Sequence, residues 1–116
     1  MTPAKSTPIN EELITQLRDK IVAEYQPEKI ILFGSAAEKD SKPNDVDLFI
    51  VKDTKEEILE RGRIVRTLFP DRLFALDVIV YTPKEVTQQL EMGDFFVRNM
   101  FKKGRILYDS NDTKVV

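Results

Sequence analysis

Two aspartates, Asp45 and Asp47, stand one residue apart where the polar stretch KDSKPN gives way to the apolar run that continues as LFIV. In an extended strand residues i and i+2 share a face, so Asp45 and Asp47 project side by side while Val46 and Leu48 point the other way. Like charges this close repel and raise one pKa unless a cation lies between them. Ligation by carboxylate oxygens alone suits a hard divalent ion, Mg²⁺ or Mn²⁺, which keeps waters and bridges to phosphates. Asp77 repeats the anomaly as the one charged residue of FALDVIVY. If that strand neighbours the first, three carboxylates converge on one metal site. Upstream, Gly34 and Ser35 close the oily run KIILF, with nine residues between Ser35 and Asp45. A glycine lets the backbone approach a ligand closely, and a serine hydroxyl with the amides of a following helical turn can hold phosphate oxygens. Each feature alone has a plainer reading: a turn for Gly-Ser, an exposed edge for Asp-x-Asp, a solvent-facing strand residue for Asp77. Their order and spacing together are more specific than the parts.

These residues need strands to carry them and helices to cover the strands. Asn10 can cap a helix whose apolar residues Leu13, Ile14, Leu17, Ile21 and Tyr25 recur at helical spacing, and Ile9 can staple onto Ile14. Pro27 drives Gln26 out of helical geometry, so this helix ends near Tyr25. Residues 29–33 read as a buried strand, 35–44 as a loop that can begin with one helical turn, and 46–51 as a second strand. Asp53 with Glu56 offers a capping box for a helix over 54–68 that turns Ile58, Val65 and Leu68 inward. Residues 74–81 form the third strand. Thr82, Pro83 and Glu85 then supply a cap, a first-turn proline and a capping box together. Gly93 and Asp94 mark a stop and restart before a short helix over 95–103 closed by Gly104. RILY, 105–108, is a last short strand. The pattern predicts an α/β or α+β layer, one domain over 10–108 with a flexible tail at 1–9 and a frayed one at 109–116.

Composition narrows the chemistry. Hydrophobic residues make up 41% and charged residues 33% of 116, the balance of a single globular domain rather than a disordered chain. The net charge of −2 leaves no long-range basic field to hold a nucleic-acid backbone. No apolar run is long enough to cross a bilayer and MTPAKSTPIN lacks the oily segment of a signal peptide, so a cytoplasmic protein is expected. With neither cysteine nor histidine, thiolates, disulfides, zinc fingers and histidine triads are excluded. What remains is carboxylates, hydroxyls, amines and a metal.

Phe33, Gly34, Ser35, a gap, then Asp45, Val46, Asp47, Leu48 resembles the nucleotidyltransferases of the DNA polymerase β superfamily. Their pattern is an apolar residue, Gly-Ser, about ten residues, and Asp-apolar-Asp-apolar after a strand. Over about 11–108, with the ending GRILYD, the chain looks like the minimal, single-domain members, antitoxin-like partners of helical HEPN proteins. The resemblance implies a mixed sheet flanked by helices and two Mg²⁺ held by Asp45, Asp47 and Asp77, with Gly34 and Ser35 on the nucleotide. It further implies transfer of a nucleoside monophosphate, AMP from ATP foremost, to a hydroxyl such as a tyrosine of a HEPN partner, with Asp77 the base nearest that acceptor. Where many relatives follow Gly-Ser with Arg, Ala, Arg and Gly, this chain has Ala36, Ala37, Glu38 and Lys39, and Asn44 replaces a common serine before the first aspartate.

The competing class is a binding module that keeps such a fold and acts by docking on a partner. Buried aspartates favour the enzyme, since a docking surface has no use for them. A chain with no second domain to hold an acceptor favours docking, through the cluster Phe95, Phe96, Val97, Met100, Phe101, which otherwise reads as core. Gly62 inside a helical pattern reads as a close-packing site, and Lys39 and Lys42 as solvated. An EF-hand loop and a P-loop are absent.

Overall fold

The structure, a computed structural model, describes residues 9–38 and 43–112. Its centre is a four-stranded sheet in the order β3-β2-β1-β4. The strands are β1 (Lys29–Phe33), β2 (Asp45–Val51), β3 (Ala75–Tyr81) and β4 (Arg105–Asp109). β1 runs antiparallel to both β2 and β4, whereas β2 and β3 are parallel, which makes the sheet mixed. Four helices flank it: α1 (Glu11–Tyr25), α2 (Ile58–Arg66), α3 (Pro83–Glu91) and α4 (Phe95–Lys103). This is the α+β architecture expected of the polymerase β-like fold.

Strand alternation sorts the core into two layers. Ile30, Leu32, Val46, Leu48, Ile50, Leu76, Val78 and Val80 turn to one face, where Ile14, Leu17, Ile21 and Tyr25 of α1 and Val65 of α2 cover them. Ile31, Phe49 and Val51 turn to the other, under Val86 of α3 and Val97 and Met100 of α4. Asp45, Asp47 and Asp77 share the parity of this second face. There α3 and α4 leave them half-buried or, for Asp77, exposed.

Local signals explain most boundaries. Asn10 accepts the Leu13 amide at 2.9 Å, and Ile9 packs against the first core layer. Thr82 and Glu85 close a reciprocal capping box behind Pro83. Asp94 caps α4 by accepting from the Phe96 and Val97 amides. Gln26 ends α1 as expected, at φ 55° in the left-handed region, its amide donating to the Ile21 and Val22 carbonyls. Among the described residues no helix is long and apolar enough to cross a membrane.

The second helix departs from expectation. It spans Ile58–Arg66 instead of 54–68, and neither Asp53 nor Glu56 caps it; Glu57 holds the N-cap position without a side-chain bond. Thr54 explains the delay, because its hydroxyl accepts the Glu56 amide at 3.2 Å and holds a local turn that competes with helix. The Glu56 carbonyl is meanwhile taken by Arg61 Nε at 2.8 Å. Ile58 is consequently exposed rather than inward, while Val65 is buried and Leu68 packs beside it. At the C-terminus the Ser110 amide donates to the Glu28 carbonyl at 2.8 Å, so 109–112 are tied to the end of the sheet. The N-terminal tail through residue 8, the loop with Lys39 and Lys42, and 113–116 lie outside the described residues.

Gly62 is where α2 meets the sheet. A Cβ there would stand 2.6 Å from the Val78 carbonyl oxygen, so only a glycine lets the helix lie this close to β3. Gly62→Ala is expected to lower stability by about 1–3 kcal/mol as α2 is pushed off the strand. Urea denaturation measures it; an unchanged midpoint would show that the helix has room to lift.

Candidate metal and nucleotide site

The parallel pairing of β2 with β3 builds the acidic cluster. Its register sets Asp47 opposite Asp77, and on the other side β1 sets Phe33 opposite Asp47. A single row therefore crosses the sheet from Phe33 through Asp47 to Asp77, with Asp45 two residues along β2 on the same face. One carboxylate oxygen from each of Asp45, Asp47 and Asp77 lies within 4.8 Å of the others. The three expected aspartates do converge.

The Gly-Ser turn closes over this row. Gly34 begins a single 3-10 turn, Gly34–Ala37, at φ +73°, and a Cβ on it would fall 2.5 Å from Asp47 Oδ2. Both the backbone conformation and the close approach demand glycine. Ser35 Oγ donates to Asp45 Oδ1 at 3.4 Å, a long contact that sets the hydroxyl beside the carboxylate. Gly34 thus touches one aspartate and Ser35 another.

Electrostatics shows what the cluster lacks. Burial first, then the charges of Asp45 and Asp77 and a side-chain hydrogen bond with Asp77, push Asp47 up to about 6 from an ordinary 3.8. Among the described residues no ion pair reaches any of the three aspartates. Three mutually repelling carboxylates, oxygen-only and without a protein cation, fit a hard divalent ion. Asp45, Asp47 and Asp77 could hold it.

A match to the polymerase β nucleotidyltransferase family model over residues 15–113 takes in the sheet, the glycine turn and all three aspartates. The chain belongs to that family. No curated protein and no solved structure matches the chain with significance. The Asp-x-Asp strand and the Gly-Ser turn of this nucleotidyltransferase domain lie on one surface, where Gly34 abuts Asp47 and Ser35 meets Asp45.

The aromatic cluster expected to dock a partner divides on folding. Val97 and Met100 are buried in the second core layer and Phe101 packs against it, its ring 6.0 Å from that of Phe49. Phe96 is partly exposed and meets Phe33 edge-on at 5.8 Å, beside the row that holds Asp47. Phe95 alone of the five is left largely in solvent, at 74% exposure, near Met92 in the sequence. Sequence reading missed that α4 faces the glycine turn: Asn99 and Lys103, one helical turn apart, line a cavity with Phe33, Gly34 and Glu38. The i, i+3, i+7 spacing of Phe96, Asn99 and Lys103 carries that signal, but only once the helix is known to face the glycine turn.

A raised carboxylate pKa fixes the sign of a pH effect. Below about pH 4 Asp47 is protonated in folded and unfolded chains alike; between about 4 and 6 the unfolded chain releases its proton first, so stability falls as pH rises. Because Asp47 is only half-buried, solvent screening reduces the cost at pH 7 to about 1 kcal/mol. Metal-free Asp47→Asn should therefore melt a few degrees above wild type at pH 7 and level with it near pH 4. Mg²⁺ or Mn²⁺ should raise the wild-type midpoint at pH 7 and raise that of the variant much less. Equal midpoints at both pH values, with no response to metal, would remove the electrostatic strain from the site.

Proposed function

We propose that this chain is a metal-dependent nucleotidyltransferase that moves a nucleoside monophosphate, AMP from ATP foremost, onto a hydroxyl. The observation that carries the reading is the convergence of Asp45, Asp47 and Asp77 beside the Gly34–Ser35 turn in a family-matched chain. Asp45, Asp47 and Asp77 would hold Mg²⁺ or Mn²⁺, two ions in the arrangement that the family resemblance implies. Such ions supply charge to activate the attacking oxygen and to steady the leaving one.

The chain's own residues divide the remaining work. Gly34, without a side chain, lets phosphate approach Asp47 closely, and the Ser35 hydroxyl offers a hydrogen bond beside Asp45. Asp77 is the exposed carboxylate on the sheet's edge strand, where an acceptor can reach it. It takes the proton as the acceptor oxygen bonds to the α-phosphorus; the α–β phosphoanhydride bond breaks and pyrophosphate leaves.

The exposure of Asp77 leaves room for an acceptor that brings its own docking surface. A tyrosine of a helical HEPN-type protein meets that need, which would make the chain an antitoxin that adenylylates its partner. Phe95 and Met92, both largely exposed around the turn between α3 and α4, support docking there. The same exposure supports the second reading, a docking module that neutralises its partner without chemistry. Intact-mass measurement of the co-purified pair with ATP and Mg²⁺ separates them: transfer adds one adenylyl group per event, whereas docking leaves the partner's mass unchanged.

Asp45→Asn and Asp77→Asn should each lower transfer by more than about 100-fold while circular dichroism and melting show an intact fold. Label incorporation from ATP, followed with either variant beside wild type, is the measurement. Activity retained in both would place the chemistry elsewhere.

A further inference from the structure

We propose that Lys103 of α4 binds the leaving pyrophosphate, as the β- and γ-phosphates of the bound nucleotide, in the cavity between α4 and the glycine turn. The inference rests on the nucleotidyltransferase reading and deepens it. The cavity has a volume of about 230 Å³ and is lined by Phe33, Gly34, Glu38, Asn99 and Lys103 among others. That is below the ~300–1,000 Å³ of sites that enclose a whole ligand, so it suits a phosphate group better than a complete nucleotide. Gly34, on its wall, is the residue that abuts Asp47.

Direction decides which phosphates enter. The sheet order places Asp77 on outer strand β3, Asp45 and Asp47 on β2, and Gly34 at the end of β1. The cavity thus lies across Asp45 and Asp47 from Asp77. Displacement at phosphorus sets the attacking and leaving oxygens roughly in line. An acceptor deprotonated at Asp77 attacks from the β3 side, and the pyrophosphate departs toward Gly34 and the cavity.

A polyphosphate there needs a cation. The turn Gly34–Ala37 carries none, and Glu38 adds a carboxylate to the wall. Lys103 brings the ammonium, exposed and without an ion-pair partner among the described residues. Asn99, one turn earlier on the same face, adds an amide donor. The plainer role for Lys103 is to offset the helix dipole in the last turn of α4, which Lys102 shares. Lys102 does not line the cavity and so provides the control.

The test is calorimetric binding of inorganic pyrophosphate and of ATP to the full chain with Mg²⁺, alongside steady-state transfer. Lys103→Ala should weaken both affinities by about tenfold or more and raise KM for ATP, with Lys103→Arg recovering most of the loss. Lys102→Ala should match wild type, and all variants should melt within about two degrees of it. Equal binding by wild type and Lys103→Ala, or an equal loss in Lys102→Ala, overturns the assignment while leaving the nucleotidyltransferase intact. A wild-type chain that binds neither pyrophosphate nor ATP defeats both.

Discussion

Three carboxylates held within 4.8 Å of one another push each other apart, and the sheet has to hold them there. The force that does so is burial along β2. Val46, Leu48, Phe49 and Ile50 are all at most 1% exposed. Fully burying side chains of this size contributes ~1.5–3 kcal/mol apiece before conformational entropy is counted. The repulsion around half-exposed Asp47 is small beside that sum. A strand anchored by four core residues can therefore hold two aspartates at its leading end, with a repulsion that a bound divalent cation would relieve.

Convergence depends equally on β3 lying parallel to β2, which requires the chain to cross over and return. α2 is that crossover, and two devices hold it down. Gly62 lets it approach the Val78 carbonyl, and the buried Arg61 guanidinium ties it to its neighbours. Arg61 donates to the carbonyls of Glu56 and Val80 and, through both terminal nitrogens, to the Glu85 carboxylate. The pair holds Glu85 below its usual range, and Glu85 simultaneously closes the capping box of α3. One carboxylate thus joins the crossover helix, the end of β3 and the start of the next helix. This junction sits at the far end of the same strands whose register sets Asp77 opposite Asp47.

What could be read from residues alone follows from how local each signal is. Asn10 and the Thr82–Glu85 box act within a single turn, and KIILF and FALDVIVY stand between clear breakers, so those elements were legible. The start of α2 was not. Asp53 and Glu56 spell a capping box, but the Thr54 hydroxyl and the Arg61 guanidinium take up the Glu56 amide and carbonyl, and Arg61 does so from across the turn. Asp45, Asp47 and Asp77 were visible as carboxylates in oily runs, where a charge stands out, although the fold leaves the first two half-buried and Asp77 exposed. The neighbouring strands that join them are a tertiary fact. The place of Lys103 on the cavity wall was invisible for the same reason: a lysine in the last turn of a helix is ordinary until the helix is seen to face the glycine turn.

The site's two sides are built differently, and the sheet order explains why. Toward β1 and β4 the acidic row runs into Phe33, the glycine turn and α4, with Phe96 packed edge-on against Phe33. Toward the other side β3 is the last strand, Asp77 is exposed, and Leu73 just before it is half in solvent. A small leaving group can be received in a walled cavity whose shape is set once by the core. An acceptor carried on another macromolecule cannot, because its backbone must approach as well as its hydroxyl. An outer strand with Asp77 exposed on it meets that requirement under the proposed transfer. The open side of the site is thus the side that leaves room for a large acceptor, as the walled side does not.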